Sequence, residues 1–157
     1  YDNPVTHIKR KRIRQKLLHL PSQEKFPELV KAMRDGDGGW AERCADLVEF
    51  LAYSGCRKGE ATRVEGAHCD FVKGEITVLG DPVTGTKNWE IRRVPIIPDM
   101  LRLLERIKSE RGEKDFLAMP LMRVQECQGA INTACKKLGI ARYEIYERRK
   151  PTGTSPV

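Results

Sequence analysis

The sequence predicts an α+β domain dominated by helix, with helices flanking one small antiparallel sheet. Three observations carry this. Apolar residues recur at helical spacing in four long segments, each closed by a glycine break. One central segment alternates apolar and polar residues like a strand. A second short β segment follows it after a loop rich in Gly, Pro and Thr, the pattern of a hairpin with a long tip.

Each element has its own signal. Ser22 offers a helix cap, and Phe26, Leu29, Val30 and Met33 then fall on one stripe, with Pro27 tolerable in the first turn. Residues 35–39 (Asp-Gly-Asp-Gly-Gly) break the chain. A second helix from Trp40 to Tyr53 should turn Trp40, Cys44, Leu47, Val48 and Leu51 inward, and Gly55 stops it. A short helix carrying Arg57, Glu60 and Ala61 should follow. Residues 75–79 (Glu-Ile-Thr-Val-Leu) and 91–97 form the two strands. Asp99 is the expected cap of a third helix through Met100, Leu101, Leu103, Leu104 and Ile107, closed by Gly112. A fourth helix is expected from Arg123 to Leu138, ended by Gly139. Residues 147–157 read as a disordered tail.

The chain has 157 residues, enough for one domain with a real core. Charged residues make up 32% and the hydrophobic set 39%, a globular balance, and the net charge of +7 favours an anionic partner. The densest cationic run is Lys9, Arg10, Lys11 and Arg12, extended by Arg14. It suits a segment lying on a phosphate backbone, where each cation releases a counterion; a solvated arm or a localisation signal would read the same way. The five cysteines form no Cys-x-x-Cys pair, and Cys44, Cys127 and Cys135 fall at core-facing positions, which fits reduced thiols inside a cytoplasmic protein. The three histidines lack ligand spacing, so no metal is expected. No apolar run is long enough to span a bilayer.

Two constellations carry chemistry. Arg57 lies just past the glycine that ends a helix, where its planar fork could take two phosphate oxygens, and Glu60 lies one turn on. A plain surface ion pair is the competing reading. Lys87 to Pro95 then forms a strand with cations at its mouth, Lys87 and Arg92 among them.

In their order these pieces resemble the catalytic domain of the tyrosine recombinases, the phage integrase family. The matching residues are Asn3-Pro4, Leu20-Pro21-Ser22, and Leu51 to Ala61, which looks like the family's first arginine box. The hairpin with Lys87 at its turn and Arg-x-Val-Pro at its close, the helix after Asp99, and the segment ending Leu138-Gly139-Ile140 continue the likeness, over roughly residues 1–142. The resemblance implies that residues 1–20 are a basic linker from a missing N-terminal DNA-binding domain and residues 21–146 a partial catalytic domain. It implies that Arg57 binds the scissile phosphate and stabilises the pentavalent transition state, with Glu60 in support. Lys87 would protonate the leaving 5′ oxygen, while Lys58, Arg92 and the basic run from Lys9 to Arg14 meet DNA. It implies double-stranded DNA as partner, other recombinase protomers on that DNA, nucleoid association, no cofactor, and a monomer or weak dimer without DNA.

The likeness stops after Ile140. The family's second box, His-x-x-Arg, is absent where it should follow; the string occurs only at His7-Ile8-Lys9-Arg10, in the basic linker. Of the four tyrosines (Tyr1, Tyr53, Tyr143 and Tyr146) none stands where the nucleophile should, so no nucleophile is assigned. The expected function is that of a site-specific recombinase working through a 3′-phosphotyrosyl intermediate, incomplete and inactive alone. The alternative is a non-catalytic DNA-binding protein derived from a recombinase, acting as a regulator of intact ones.

Overall fold

A computed structural model describes residues 22–80, 91–124 and 126–140. In chain order the elements are α1 (Lys25–Arg34), α2 (Ala41–Ser54), α3 (Lys58–Ala61), a 3₁₀ turn (Gly66–His68), β1 (Cys69–Asp70), β2 (Glu75–Val78), β3 (Arg92–Pro95), α4 (Pro98–Arg111), α5 (Glu113–Ala118) and α6 (Gln128–Lys137). α1 packs on α2 and α6, and α2 on α4. α5 joins α4 to the 3₁₀ turn beside the sheet. The expected α+β layout, mainly helical around one small antiparallel sheet, is the fold observed.

The core follows the periodicities with two shifts. Leu29, Val30 and Met33 of α1 and Met100, Leu103, Leu104 and Ile107 of α4 are buried as their stripes require. Full burial of such a side chain contributes about 1.5–3 kcal/mol. On α2 the buried set is Cys44, Ala45, Asp46, Leu47 and Phe50. Trp40 is not inward: it is 61% exposed. It occupies the N-cap position, outside the helical turn, and its ring lies 5.1 Å beneath the Arg43 guanidinium. Val48 and Leu51 are only partly buried, because the inward face is turned toward Phe50.

The sheet has three strands rather than two, in the order β1-β2-β3, both pairs antiparallel. In β2 the alternation holds: Ile76 and Val78 point into the core, and Ile76 faces Val94 of β3. β1 is too short to show a period. It is made by a turn in which Asp70 Oδ1 accepts the N–H groups of Val72 (3.1 Å) and Lys73 (2.9 Å), with Gly74 at φ 68°. Those donors, that of Lys73 foremost, hold the Asp70 carboxyl below its usual range. The long hairpin tip lies outside the described residues.

Three helix boundaries differ from expectation. Ser22 stands two residues before the α1 N-cap, Glu24, yet it does act as a cap: its Oγ accepts the Lys25 N–H at 3.4 Å and its carbonyl accepts from Lys25 and Phe26. Asp99 is not the cap of α4. Pro98 fills the first helical position, so the cap is Ile97 and Asp99 sits in the first turn, bonded to Arg102. The expected helix from Arg123 begins only at Gln128, and the segment before it is tied to other elements, Pro120 bridging to Glu65. Leu121 N–H donates to the Val64 carbonyl (2.7 Å), and Arg111 donates to the carbonyls of Pro120 (3.0 Å) and Leu121 (2.8 Å). Burial and the nearby Arg123 both lower the Arg111 pKa.

α1, α2 and α4 share a charge clamp. Asp46, 4% exposed, accepts from Arg34 Nη1 (2.8 Å) and from Arg106. Arg34 also binds Glu49, and Arg106 binds Glu110 at 2.8 Å. Burial alone would lower the Arg106 pKa, but Glu110 and Asp46 outweigh it and the net shift is upward. Asp46→Ala removes the acceptor the two arginines share but leaves them Glu49 and Glu110, so it is expected to lose about 1–3 kcal/mol in urea unfolding. At Gly66 a Cβ would fall inside contact distance of the Phe116 ring and carbonyl oxygen. Gly66→Ala should therefore cost about 1–3 kcal/mol in the same assay, the usual range for overpacking.

Candidate nucleic-acid interface

The site is built where α2 ends. Gly55 takes the left-handed conformation (φ 61°), and its N–H closes the last turn on the Leu51 carbonyl at 3.0 Å. Ser54 Oγ donates to the Phe50 carbonyl (2.6 Å) and accepts the Cys56 N–H (3.1 Å). Buried Cys56 pins the corner, so the next residue, Arg57, starts α3 in extended conformation as its N-cap.

An arginine side chain has no acceptor and cannot cap a helix itself. Glu60 supplies the cap in reverse: its Oε2 accepts the Arg57 N–H at 2.9 Å. Glu60 is 7% exposed. Its Oε1 lies 3.4 Å from Arg57 Nη1, and its Oε2 also accepts from the Arg92 guanidinium. The i,i+3 pair visible in the sequence is thus part of a three-residue group around one buried carboxylate, with the third member on β3. Arg57 remains 77% exposed along its side chain and Arg92 45%. One carboxylate therefore ties down the backbone of Arg57 and the head of Arg92 while leaving the Arg57 head in solvent.

The pleat explains why Arg92 and not its neighbour reaches Glu60. Arg92 shares a strand face with Val94, which is buried, so it projects toward the core side of β3. Arg93 projects to the other face, 72% exposed and 3.7 Å from Glu75. Arg93 was not singled out by the sequence reading; the double arginine on an edge strand was its only signal. Lys58 turns away from Arg57 and pairs with Glu126 at 3.3 Å across the exposed surface. The Gln128 N–H, then Lys58, hold the Glu126 carboxyl below its usual range. Lys87, Lys9, Arg10, Lys11, Arg12 and Arg14 lie outside the described residues. Among the described residues no three His, Cys, Asp or Glu side chains converge as metal ligands, and no helix is long and apolar enough to cross a membrane.

Tyr53 is the one tyrosine among the described residues. Its ring packs edge-on against Phe26 (5.9 Å between centroids), and its hydroxyl donates to Glu49 Oε1 at 3.3 Å. Burial, reinforced by the charge of Glu49, pushes the phenol up to about 12. A pKa raised above its unfolded value contributes stability that is complete below about 10 and lost as pH rises toward about 12. Tyr53→Phe should therefore remove part of the alkaline fall in melting temperature across that window. Its difference absorbance at 295 nm against the parent should show one tyrosine titrating near pH 12.

No family model and no curated protein matches the sequence. Among solved structures the chain is similar to the crystal structure of XerA recombinase, with a TM-score of 0.59 and 22% identity over 88% of this chain. The match covers 49% of the XerA chain, so this sequence spans about half of that protein's length. The fold described here is recombinase-like.

Proposed function

We propose that this chain carries the phosphate-gripping part of a site-specific DNA recombinase, whose breakage and rejoining runs through a 3′-phosphotyrosyl link. The observation that supports this most directly is the exposed Arg57 guanidinium on a backbone locked by buried Glu60, within a recombinase-like fold. Such an arrangement presents fixed positive charge without needing to reorganise when phosphate charge develops. In this reading Arg57 holds the scissile phosphate, Glu60 supports it, and Lys87 on the hairpin gives a proton to the leaving 5′ oxygen. Arg92 borders the same phosphate position. Lys58 and the basic run Lys9, Arg10, Lys11, Arg12 and Arg14 take neighbouring phosphates along double-stranded DNA, Lys58 by exchanging Glu126 for one. Residues 1–20 serve as the linker, 21–146 as the partial catalytic unit and 147–157 as a tail. Other recombinase protomers join it on DNA, and without DNA it is a monomer or weak dimer.

The covalent half of the chemistry needs a nucleophile and the second arginine box. The box is absent after Ile140, and Tyr53 is held neutral by burial and a carboxylate. These observations favour a second reading for the 157 residues acting by themselves: a DNA-binding protein that occupies recombinase sites and regulates intact enzymes.

Duplex binding by fluorescence anisotropy at increasing salt is expected to give a steep linear fall in log K against log salt. Arg57→Ala should weaken binding about tenfold and reduce the slope by about one. A flat salt response, or unchanged affinity in Arg57→Ala, would sink the phosphate assignment. On a nicked suicide duplex no covalent protein–DNA adduct is expected; its appearance would show that the chain cuts by itself and would remove the second reading.

A further inference from the structure

Glu60 is shared between two arginines that do different things. Its carboxylate is almost wholly buried, and a buried carboxylate left without a cation is costly. Two guanidinium groups are within reach. Arg92 donates from the core side of β3 to Oε2, whereas Arg57 touches Oε1 only at 3.4 Å, with most of its side chain in solvent. The closer partner takes up the charge, and the looser one stays available.

We infer that Arg92 is a positioning residue: by neutralising Glu60 it keeps the Arg57 guanidinium free for a DNA phosphate. This rests on the reading of Arg57 as the phosphate ligand. Without Arg92 the Glu60 charge has Arg57 as its nearest remaining partner, one helical turn away on the same element. Arg57 then closes the 3.4 Å contact into a tight pair, and an incoming phosphate must compete with a preorganised carboxylate for the same fork. The hairpin base and the α2–α3 corner are coupled through this one side chain.

A direct phosphate contact by Arg92 predicts something different. A direct contact is lost by the same factor whatever stands at position 60, but a role exercised through Glu60 disappears once Glu60 has no charge. Duplex affinity is therefore compared among the parent chain, Arg92→Gln, Glu60→Gln and the double variant at one salt concentration. Arg92→Gln should lose about tenfold, the double variant should stand within about twofold of Glu60→Gln, and Arg92→Lys should retain most of the affinity. Equal losses from Arg92→Gln in both backgrounds overturn the proposal.

The arginine Nε–Hε resonances of the free protein test the same coupling without DNA. In Arg92→Gln the Arg57 signal should shift and exchange more slowly with solvent, and adding Glu60→Gln should reverse both changes. An Arg57 signal indifferent to Arg92→Gln overturns the proposal even if Arg57→Ala abolishes duplex binding. If Arg57→Ala leaves duplex binding intact, the phosphate reading of Arg57 falls, and the resonances still decide whether Arg92 frees that side chain. Melting curves confirm that each variant is folded, with the equally uncharged Arg92→Met standing in where Arg92→Gln fails to fold.

Discussion

A carboxylate that water barely reaches must find its cations inside the protein, and Glu60 finds them on elements the chain forms far apart. That constraint ties the α2–α3 corner to the sheet. The corner cannot be right unless Glu60 points back at the Arg57 N–H, one of the orphan donors at the start of a helix. Strand β3 is held to that corner through Arg92, and antiparallel pairing with β2 fixes which residue of β3 faces inward. Rigidity of the Arg57 backbone and freedom of its head therefore have one origin. The carboxylate spends its strong bonds on a peptide group and on a different arginine.

The Asp46 clamp shows the opposite use of the same chemistry. There two arginines converge on one buried carboxylate, and their remaining donors are taken by Glu49 and Glu110. The result is a staple across α1, α2 and α4. A net charge of +7 is thus distributed unevenly in its availability. Arg34 and Arg106 are consumed by the fold, Lys58 is loosely paired on the surface, and Arg57 is presented. Counting cations in the sequence cannot separate these classes, because the separation depends on which carboxylates the packing places nearby.

Which features were legible in the sequence follows from their range. Ile76 and Val78 announced β2 by alternation, and Met100, Leu103, Leu104 and Ile107 announced α4 by helical spacing. Gly55, Gly112 and Gly139 marked helix ends and do adopt positive φ there. Trp40 misled because at the cap position, before the first full turn, its ring lies outside the packed stripe and stacks under Arg43 instead. Asp99 misled because Pro98 sets the helix start two residues earlier than a cap at Asp99 would. β1 and α5 are too short to display a period, and the carbonyls of Pro120 and Leu121 are taken by Arg111, a tertiary contact. At the site, the Arg57–Glu60 pair could be read from i,i+3 spacing. The Arg92–Glu60 pair spans 32 positions and exists only once sheet and helix are assembled.

Gripping a phosphate and breaking it make separate demands on side chains. Gripping needs a cation whose backbone is fixed and whose head is exposed and loosely held, as the Arg57 head is at 3.4 Å from Glu60. Breaking through a covalent link needs a phenol made acidic by neighbouring cations. Around Tyr53 the balance runs the other way. Its hydroxyl donates to Glu49, Asp99 adds to the negative field, and Arg102, the cation that would favour phenolate, is already bonded to Asp99. The guanidinium that remains unspent stands beyond the Gly55 corner, at the start of the next helix. Exposed cation and phenol thus stand on opposite sides of the Gly55 corner, and the surroundings of Tyr53 oppose phenolate formation rather than favour it.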